Sequence, residues 1–172
     1  MSECAYIGIG SNLGDRVHHC QQATKAISRV PGVAVVRVSS LYESAPVPPA
    51  SGGWFVNGVV SAETTLPPEA LLQELLRIER TMGRAASRAR GEDRSIDLDL
   101  LLVGSQVVER PDVILPHPRL HQRRFVLVPV CELAPDFRHP RLGLTMRELL
   151  GRLDDPSPIR LLVRAGDPAP AR

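Results

Sequence analysis

Arg94-Ser95-Ile96-Asp97-Leu98-Asp99-Leu100-Leu101-Leu102 is the stretch on which the reading of this chain turns. Apolar and polar residues alternate at its start, the period of a β-strand. Successive strand side chains point to opposite faces. Asp97 and Asp99 therefore share one face, with Ile96, Leu98 and Leu100 on the other. Asp-x-Asp alone also fits an antiparallel strand with one solvated face. The run continues into Leu101-Leu102-Val103, however, which argues for burial on both faces. Carboxylates on such a strand are costly without compensation. A divalent cation is the natural compensation: Mg²⁺ takes hard oxygen ligands, few carboxylates and substrate phosphates. Two ions about 4 Å apart would clamp both the attacking and the leaving side of a phosphoryl transfer.

Upstream of the strand, Arg77, Arg80, Arg84, Arg88, Arg90 and Arg94 fall within 18 residues. Lys25 is the only lysine among 21 basic residues, so the net charge of +2 conceals a strong arginine bias. The guanidinium fork binds two phosphate oxygens at once. Arg94, three residues before Asp97, is placed to touch phosphates carried by a metal there. Aromatic residues make up 3% of the chain, too few for a base-stacking platform, so nucleic acid is not an expected partner. No apolar run approaches the roughly 20 residues of a membrane helix. The N-terminus shows no secretory pattern, and a cytoplasmic location is expected. Cys4, Cys20 and Cys131 are spaced like reduced, buried thiols rather than a disulfide or zinc framework.

Working outward, Tyr6 to Gly10 reads as a short first strand, with turn chemistry at Ser11 to Asp15 and a helix to about Val30, stopped by Pro31-Gly32. Val33 to Tyr42 alternates as a single second strand. Ser44 to Gly53 is a proline- and glycine-containing loop, and Phe55 to Thr64 a third strand. A helix from about Pro67 to Gly83 presents Leu71, Leu72, Leu75, Ile78 and Met82 at helical spacing. After the Asp97 strand, Gly104-Ser105 reads as a two-residue hairpin turn into Gln106-Val107-Val108. Phe125 to Leu133 is expected to be helical despite Pro129, and so is Thr145 to Leu153, with Thr145 and Glu148 in capping-box spacing. Ile159 to Val163 is a final strand. The order strand, helix, strand, strand, helix, strand is that of a ferredoxin-like α+β sandwich, a mainly antiparallel sheet with helices packed on it. A single domain over 1–165 is expected, with a disordered tail over 166–172.

Two further motifs bear on chemistry. Gly8-Ile9-Gly10-Ser11-Asn12-Leu13-Gly14 misses the dinucleotide fingerprint by one residue in its third glycine, and its glycines read as close packing at a strand end. Pro116-His117-Pro118-Arg119, followed by Arg123 and Arg124, places a histidine on a rigid turn among arginines. That arrangement suits a phosphate or ribose contact as well as it suits an ordinary surface turn.

Taken together, Ala5 to Asp15, Ser39-Ser40-Leu41-Tyr42-Glu43-Ser44, Phe55-Val56-Asn57, Ile78-Glu79-Arg80 with Gly83-Arg84, Arg94 to Asp99 and Leu115 to Arg119 resemble the 6-hydroxymethyl-7,8-dihydropterin pyrophosphokinase family of folate biosynthesis. The resemblance covers the chain from Ala5 to about Pro140. It implies transfer of pyrophosphate from ATP to the hydroxymethyl group of 6-hydroxymethyl-7,8-dihydropterin, with AMP leaving. It implies two Mg²⁺ ions on Asp97 and Asp99, with Arg84 and Arg94 acting on the triphosphate in the catalytic step. His117 and Arg123 match ATP contacts, and Leu100 matches a backbone neighbour of adenine. Ser44, Ala45, Val47, Phe55, Asn57 and Phe125 match the pterin pocket. A monomer is expected, and no residue stands out as a dedicated general base. The family's Arg-Trp-Gly-Pro-Arg is here Arg90-Gly91-Glu92-Asp93-Arg94; Ala86 replaces a second arginine and Leu76 a glutamine. The alternative is a pterin- or nucleotide-binding module whose turnover is reduced or lost through the altered loop 86–93.

Overall fold

The computed structural model describes residues 1–46, 52–83 and 93–167. In chain order they form β1 (Glu3–Ser11), α1 (Arg16–Ile27), β2 (Val33–Val38), β3 (Leu41–Ser44), β4 (Phe55–Thr64), α2 (Pro68–Thr81), β5 (Asp97–Val103), β6 (Val108–Glu109), β7 (Ile114–Leu115), α3 (Arg124–Leu133), α4 (Met146–Arg152) and β8 (Ile159–Val163). The main sheet runs β5-β1-β4-β3-β8, with β2 also paired to β4, and every pairing is antiparallel. This is the expected α+β sandwich. No helix among the described residues is long and apolar enough to cross a membrane.

Alternation along the strands sorts the core into two layers. Ala5, Ile7 and Ile9 of β1, with Leu98 and Leu100 of β5, pack beneath α1 and α2 against Cys20, Ala23, Leu71 and Leu75. Tyr6, Val59, Leu101 and Leu102 pack on the opposite face against Leu127, Val130 and Leu133 of α3 and Met146 and Leu149 of α4. Full burial of a leucine such as Leu71 or Leu127 contributes about 2 kcal/mol, which is what holds both helix pairs to the sheet. The same burial retains α3 as a helix although Pro129 removes one N–H from its ladder. The capping box at α4 forms as its sequence indicates, with both the Thr145 and Glu148 side chains engaged.

The structure corrects the sequence reading at two places. Val33 to Tyr42 is not one strand but two, broken at Ser39-Ser40. Ser39 Oγ accepts the Val59 N–H at 2.8 Å and donates to Ser40 O, while Ser40 N–H and Oγ–H donate to Glu132 of α3. These serines give the backbone partners outside the ladder. Nor does Gly104-Ser105 make a hairpin between β5 and the next strand. The turn closes through Gln106 N–H to Val103 O, but β6 pairs with β7 around Pro111-Asp112, where Arg110 and Val113 exchange backbone bonds.

Candidate active site

The site is built on the sheet face that α3 and α4 cover. Gly10 lies between Asp97 on β5 and Asn57 on β4, and Asn57 in turn faces Tyr42 on β3. Asp97, Gly10, Asn57 and Tyr42 thus form one row across four strands. The neighbouring row places Gly8 opposite Asp99. Gly10 adds no side chain between Asp97 and Asn57, which lie two strand spacings, or about 10 Å, apart, while the Leu101 side chain lies over Gly8.

At the β5 end, the side chains of Asp97 and Asp99 are 28% and 37% exposed, while Leu98 and Leu100 between and beyond them are buried. Arg94 donates to Asp97 at 3.0 Å, and Arg123 lies 3.8 Å from Asp99 with its guanidinium over the ring of Phe125 at 5.6 Å. Asn12, at the end of β1, fixes the approach to this strand. Its Oδ1 accepts the Arg94 N–H at 2.7 Å, its backbone N–H donates to Arg94 O, and its Nδ2 donates to Asp93 at 2.6 Å. Buried Glu79 of α2 accepts the Leu98 N–H at 2.7 Å from the other side of the sheet. Leu101 is the extra residue of a β-bulge opposite Tyr6–Ile7, and its carbonyl accepts the His117 N–H at 2.9 Å. The bulge therefore hangs the cis-Pro116 turn beside the aspartates. His117 Nδ1 accepts the Arg119 N–H, leaving Nε2 to carry the proton of the neutral ring. Burial pulls the His117 imidazole below its usual value, with Asp99 acting in the opposite sense and Arg123 reinforcing the shift.

At the β3–β4 end, Asn57 Nδ2 donates to Ser44 Oγ at 2.8 Å, both residues being buried. Ser44 faces Phe55 in the register, so Ser44, Phe55 and Asn57 share the face of the aspartates. Tyr42 donates to Glu132 at 2.9 Å; burial first, and then this carboxylate, push its phenol up to about 12. Phe125 packs onto the apolar cluster beneath α3 and α4, with Arg123 over its ring.

The expected residues therefore separate clearly. Arg94, Asp97, Asp99, His117 and Arg123 gather at one end of the face, with Phe125 against Arg123, and Ser44, Phe55 and Asn57 at the other. Leu100 turns its side chain into the α1/α2 layer, leaving only its main chain for any ligand. Ala45 donates its N–H to Pro158 O at 3.3 Å and extends from β3. Arg84 and Val47 lie outside the described residues. The sequence reading missed Asn12 and Glu79 as organisers. A polar Asn closing a strand and an acid four residues after Leu75, in the apolar stripe of α2, were the available signals.

The donor set suits Mg²⁺. Two hard carboxylates stand side by side, and no group of three or more His, Cys, Asp or Glu side chains suited to a metal occurs among the described residues. Water and a phosphate-bearing substrate would have to complete the coordination, as is usual for this ion.

Comparison with known proteins assigns the family. Residues 6–135 match the family model described as 7,8-dihydro-6-hydroxymethylpterin-pyrophosphokinase. The 2-amino-4-hydroxy-6-hydroxymethyldihydropteridine pyrophosphokinase of Haemophilus influenzae is 40% identical over 157 residues, covering 91% of this chain and 97% of that protein. The protein of the same name from Pseudomonas aeruginosa is 41% identical over 150 residues, covering 87% of this chain and 91% of that one. The solved structure of wild-type Plasmodium falciparum HPPK-DHPS with pteroate superposes with a TM-score of 0.70 at 12% identity. It matches 88% of this chain, which spans 44% of that longer one, and the likeness speaks to fold alone. The family match over most of the chain and the 40% identity together establish that this chain belongs to the 7,8-dihydro-6-hydroxymethylpterin-pyrophosphokinase family.

Proposed function

We propose that the face between Asp97 and Ser44 is where this pyrophosphokinase of folate biosynthesis joins its two substrates. The enzyme transfers pyrophosphate from ATP to the hydroxymethyl group of 6-hydroxymethyl-7,8-dihydropterin and releases AMP. The observation that carries the site assignment is the row Asp97–Gly10–Asn57, an anionic end and an amide end about 10 Å apart with only a glycine between them.

Asn57 and Ser44 are suited to the polar edge of the pterin, with Phe55 and Phe125 flanking its faces. That placement directs the hydroxymethyl group toward β5. Arg94, its backbone N–H bonded to Asn12 and its guanidinium to Asp97, sets a planar cation beside that carboxylate, a group suited to phosphate oxygens. Arg123 and His117 lie near Asp99, within reach of a phosphate held there. Asp97 and Asp99 would hold two Mg²⁺ ions, which when bound neutralise phosphate charge. Positioning and fixed charge supply the catalysis, and no dedicated base is assigned. One continuous three-layer unit supports a single domain over 1–165. We take the working unit to be a cytoplasmic monomer. A binding module without turnover has no observation in its favour.

The test is direct. Protein, ATP, Mg²⁺ and the dihydropterin should yield AMP and the pterin diphosphate, and Asn57→Ala should raise the pterin KM. A folded sample that forms no AMP overturns the reading.

A further inference from the structure

We propose that Glu43 is a positioning residue for the pterin end of the site, acting through Arg16 and Arg160 as a clamp on the two strand ends that carry Ser44 and Phe55. This rests on the pterin reading of those two residues and extends it to side chains on the opposite face of the sheet.

Glu43 precedes Ser44 on β3, so its side chain enters the α1/α2 layer while Ser44 faces the site. It is 8% exposed and its two oxygens are divided between two arginines. Oε1 accepts from Arg16 at 2.7 Å; Oε2 accepts from Arg160 Nε at 2.8 Å and from its terminal nitrogen at 2.5 Å. Each arginine also grips Trp54, the residue before Phe55. Arg16 donates to the Trp54 carbonyl at 2.6 Å, and the Arg160 guanidinium lies 5.0 Å over the indole. Both ends of the segment between β3 and β4 are thereby tied to one carboxylate, directly behind the register pair Ser44–Phe55. Arg16 opens α1 and Arg160 lies on β8, 117 residues beyond Glu43. Burial alone would raise the Glu43 carboxyl, but the bonds from Arg160 and Arg16 outweigh it and hold it below its usual value. A buried, charge-assisted and bidentate contact of this kind fixes geometry as well as adding energy. A displacement of Ser44 or Phe55 would be felt by the pterin and not by the triphosphate, which is handled at the other end of the row.

The variant to make is Arg160→Gln. Arg160 is 68% exposed on an edge strand, so its loss leaves the core intact. It removes both donors to Oε2 and the cation over Trp54. We expect a rise in pterin KM of about tenfold, equivalent to about 1.4 kcal/mol, with kcat and ATP KM within about twofold. Arg160→Lys should recover part of the loss. Trp54 is the only tryptophan, so its emission should shift in Arg160→Gln and report pterin titrations without ATP. An unchanged pterin KM, or a lower melting temperature with less active enzyme and both KM values intact, overturns the clamp. If Asn57→Ala also leaves pterin KM unchanged, the pterin reading itself has failed and the clamp falls with it. If Asn57→Ala raises it and Arg160→Gln does not, only the clamp is wrong.

Discussion

Gly10→Ala tests whether the side-chain-free position between Asp97 and Asn57 serves the substrates. A Cβ built on Gly10 would lie 3.1 Å from Asn57 Oδ1. Ordinary contact begins near 3.5 Å, so the amide would have to yield by roughly 0.3 Å. Asn57 has little freedom to do so, being buried and bonded to Ser44 at 2.8 Å. A bond stretched to about 3.1 Å still lies within the hydrogen-bonding range, so the fold should lose only about 1 kcal/mol. For a chain of this size that is about 2–4 °C in Tm. The effect on catalysis should be larger, because the methyl also occupies the groove between Asp97 and Asn57. We expect pterin KM to rise about tenfold and kcat to fall by up to about 10²-fold, as a misplaced reactant does.

The informative assay is a double-mutant cycle with Asn57→Ala, read by pterin KM and thermal melting. The cost of the methyl passes through the amide, so in the Asn57→Ala background the Cβ finds vacated space. The two changes should then couple by about 1 kcal/mol. Additivity to within about 0.5 kcal/mol, or a Gly10→Ala enzyme with an unaltered pterin KM, would refute the reasoning.

Other expectations follow from the same geometry. Asp97→Asn should lower kcat about 10³-fold or more, since a carboxylate serving a metal is worth several kcal/mol; AMP formation across a Mg²⁺ titration measures this, and wild-type turnover would remove Asp97 from the assignment. Glu132→Ala should destabilise the fold by about 2 kcal/mol by stripping the partner from Ser40 N–H, Ser40 Oγ and Tyr42 Oη, as denaturant unfolding will report. His139 is buried, with its Nδ1 accepting the Arg141 and Leu142 N–H groups, and burial followed by His121 and Arg141 lowers its pKa from 6.5. The folded chain therefore binds this proton less readily than the unfolded one. The stability it contributes is complete above about pH 6.5 and is lost as pH falls through the lower folded value. His139→Asn, which keeps an acceptor in place, should flatten Tm against pH below about pH 6.5; an unchanged slope would assign the acid sensitivity elsewhere.

Residues that act through local period were legible in the sequence. Asp97 and Asp99 share a face because a strand has a period of two, and Leu71, Leu75 and Ile78 mark α2 because a helix repeats every 3.6 residues. Legibility failed where a side chain replaces a backbone partner. Ser39-Ser40 has the composition of a strand interior, yet its hydroxyls and N–H groups bond to Val59 and Glu132, residues brought near only by the fold. Leu101 looks like one more leucine in an apolar run, but as the bulge it frees a carbonyl for His117. Neither exchange leaves a mark in local composition.

The turn after β1 shows why such exchanges matter to function. Its glycines read as packing at a strand end, and Gly14 does adopt φ +64°, a conformation suited to glycine. The functional content lies in the polar residues around it. Asn12 reaches Asp93 and Arg94, 81 and 82 residues away, and so fixes the start of the aspartate strand. Arg16, four residues on, reaches Glu43 and the Trp54 carbonyl and so fixes the strand ends behind Ser44 and Phe55. One short turn thereby bonds to both ends of the row across the sheet. The ladder sets the spacing between the anionic end and the amide end, and the turn holds the segments that flank each of them. Substitutions at Asn12 should accordingly act on the triphosphate side and those at Arg16 on the pterin side. Separate ATP and pterin KM values for Asn12→Ala and Arg16→Gln will show that division, and equal effects on both substrates from either variant would rule it out.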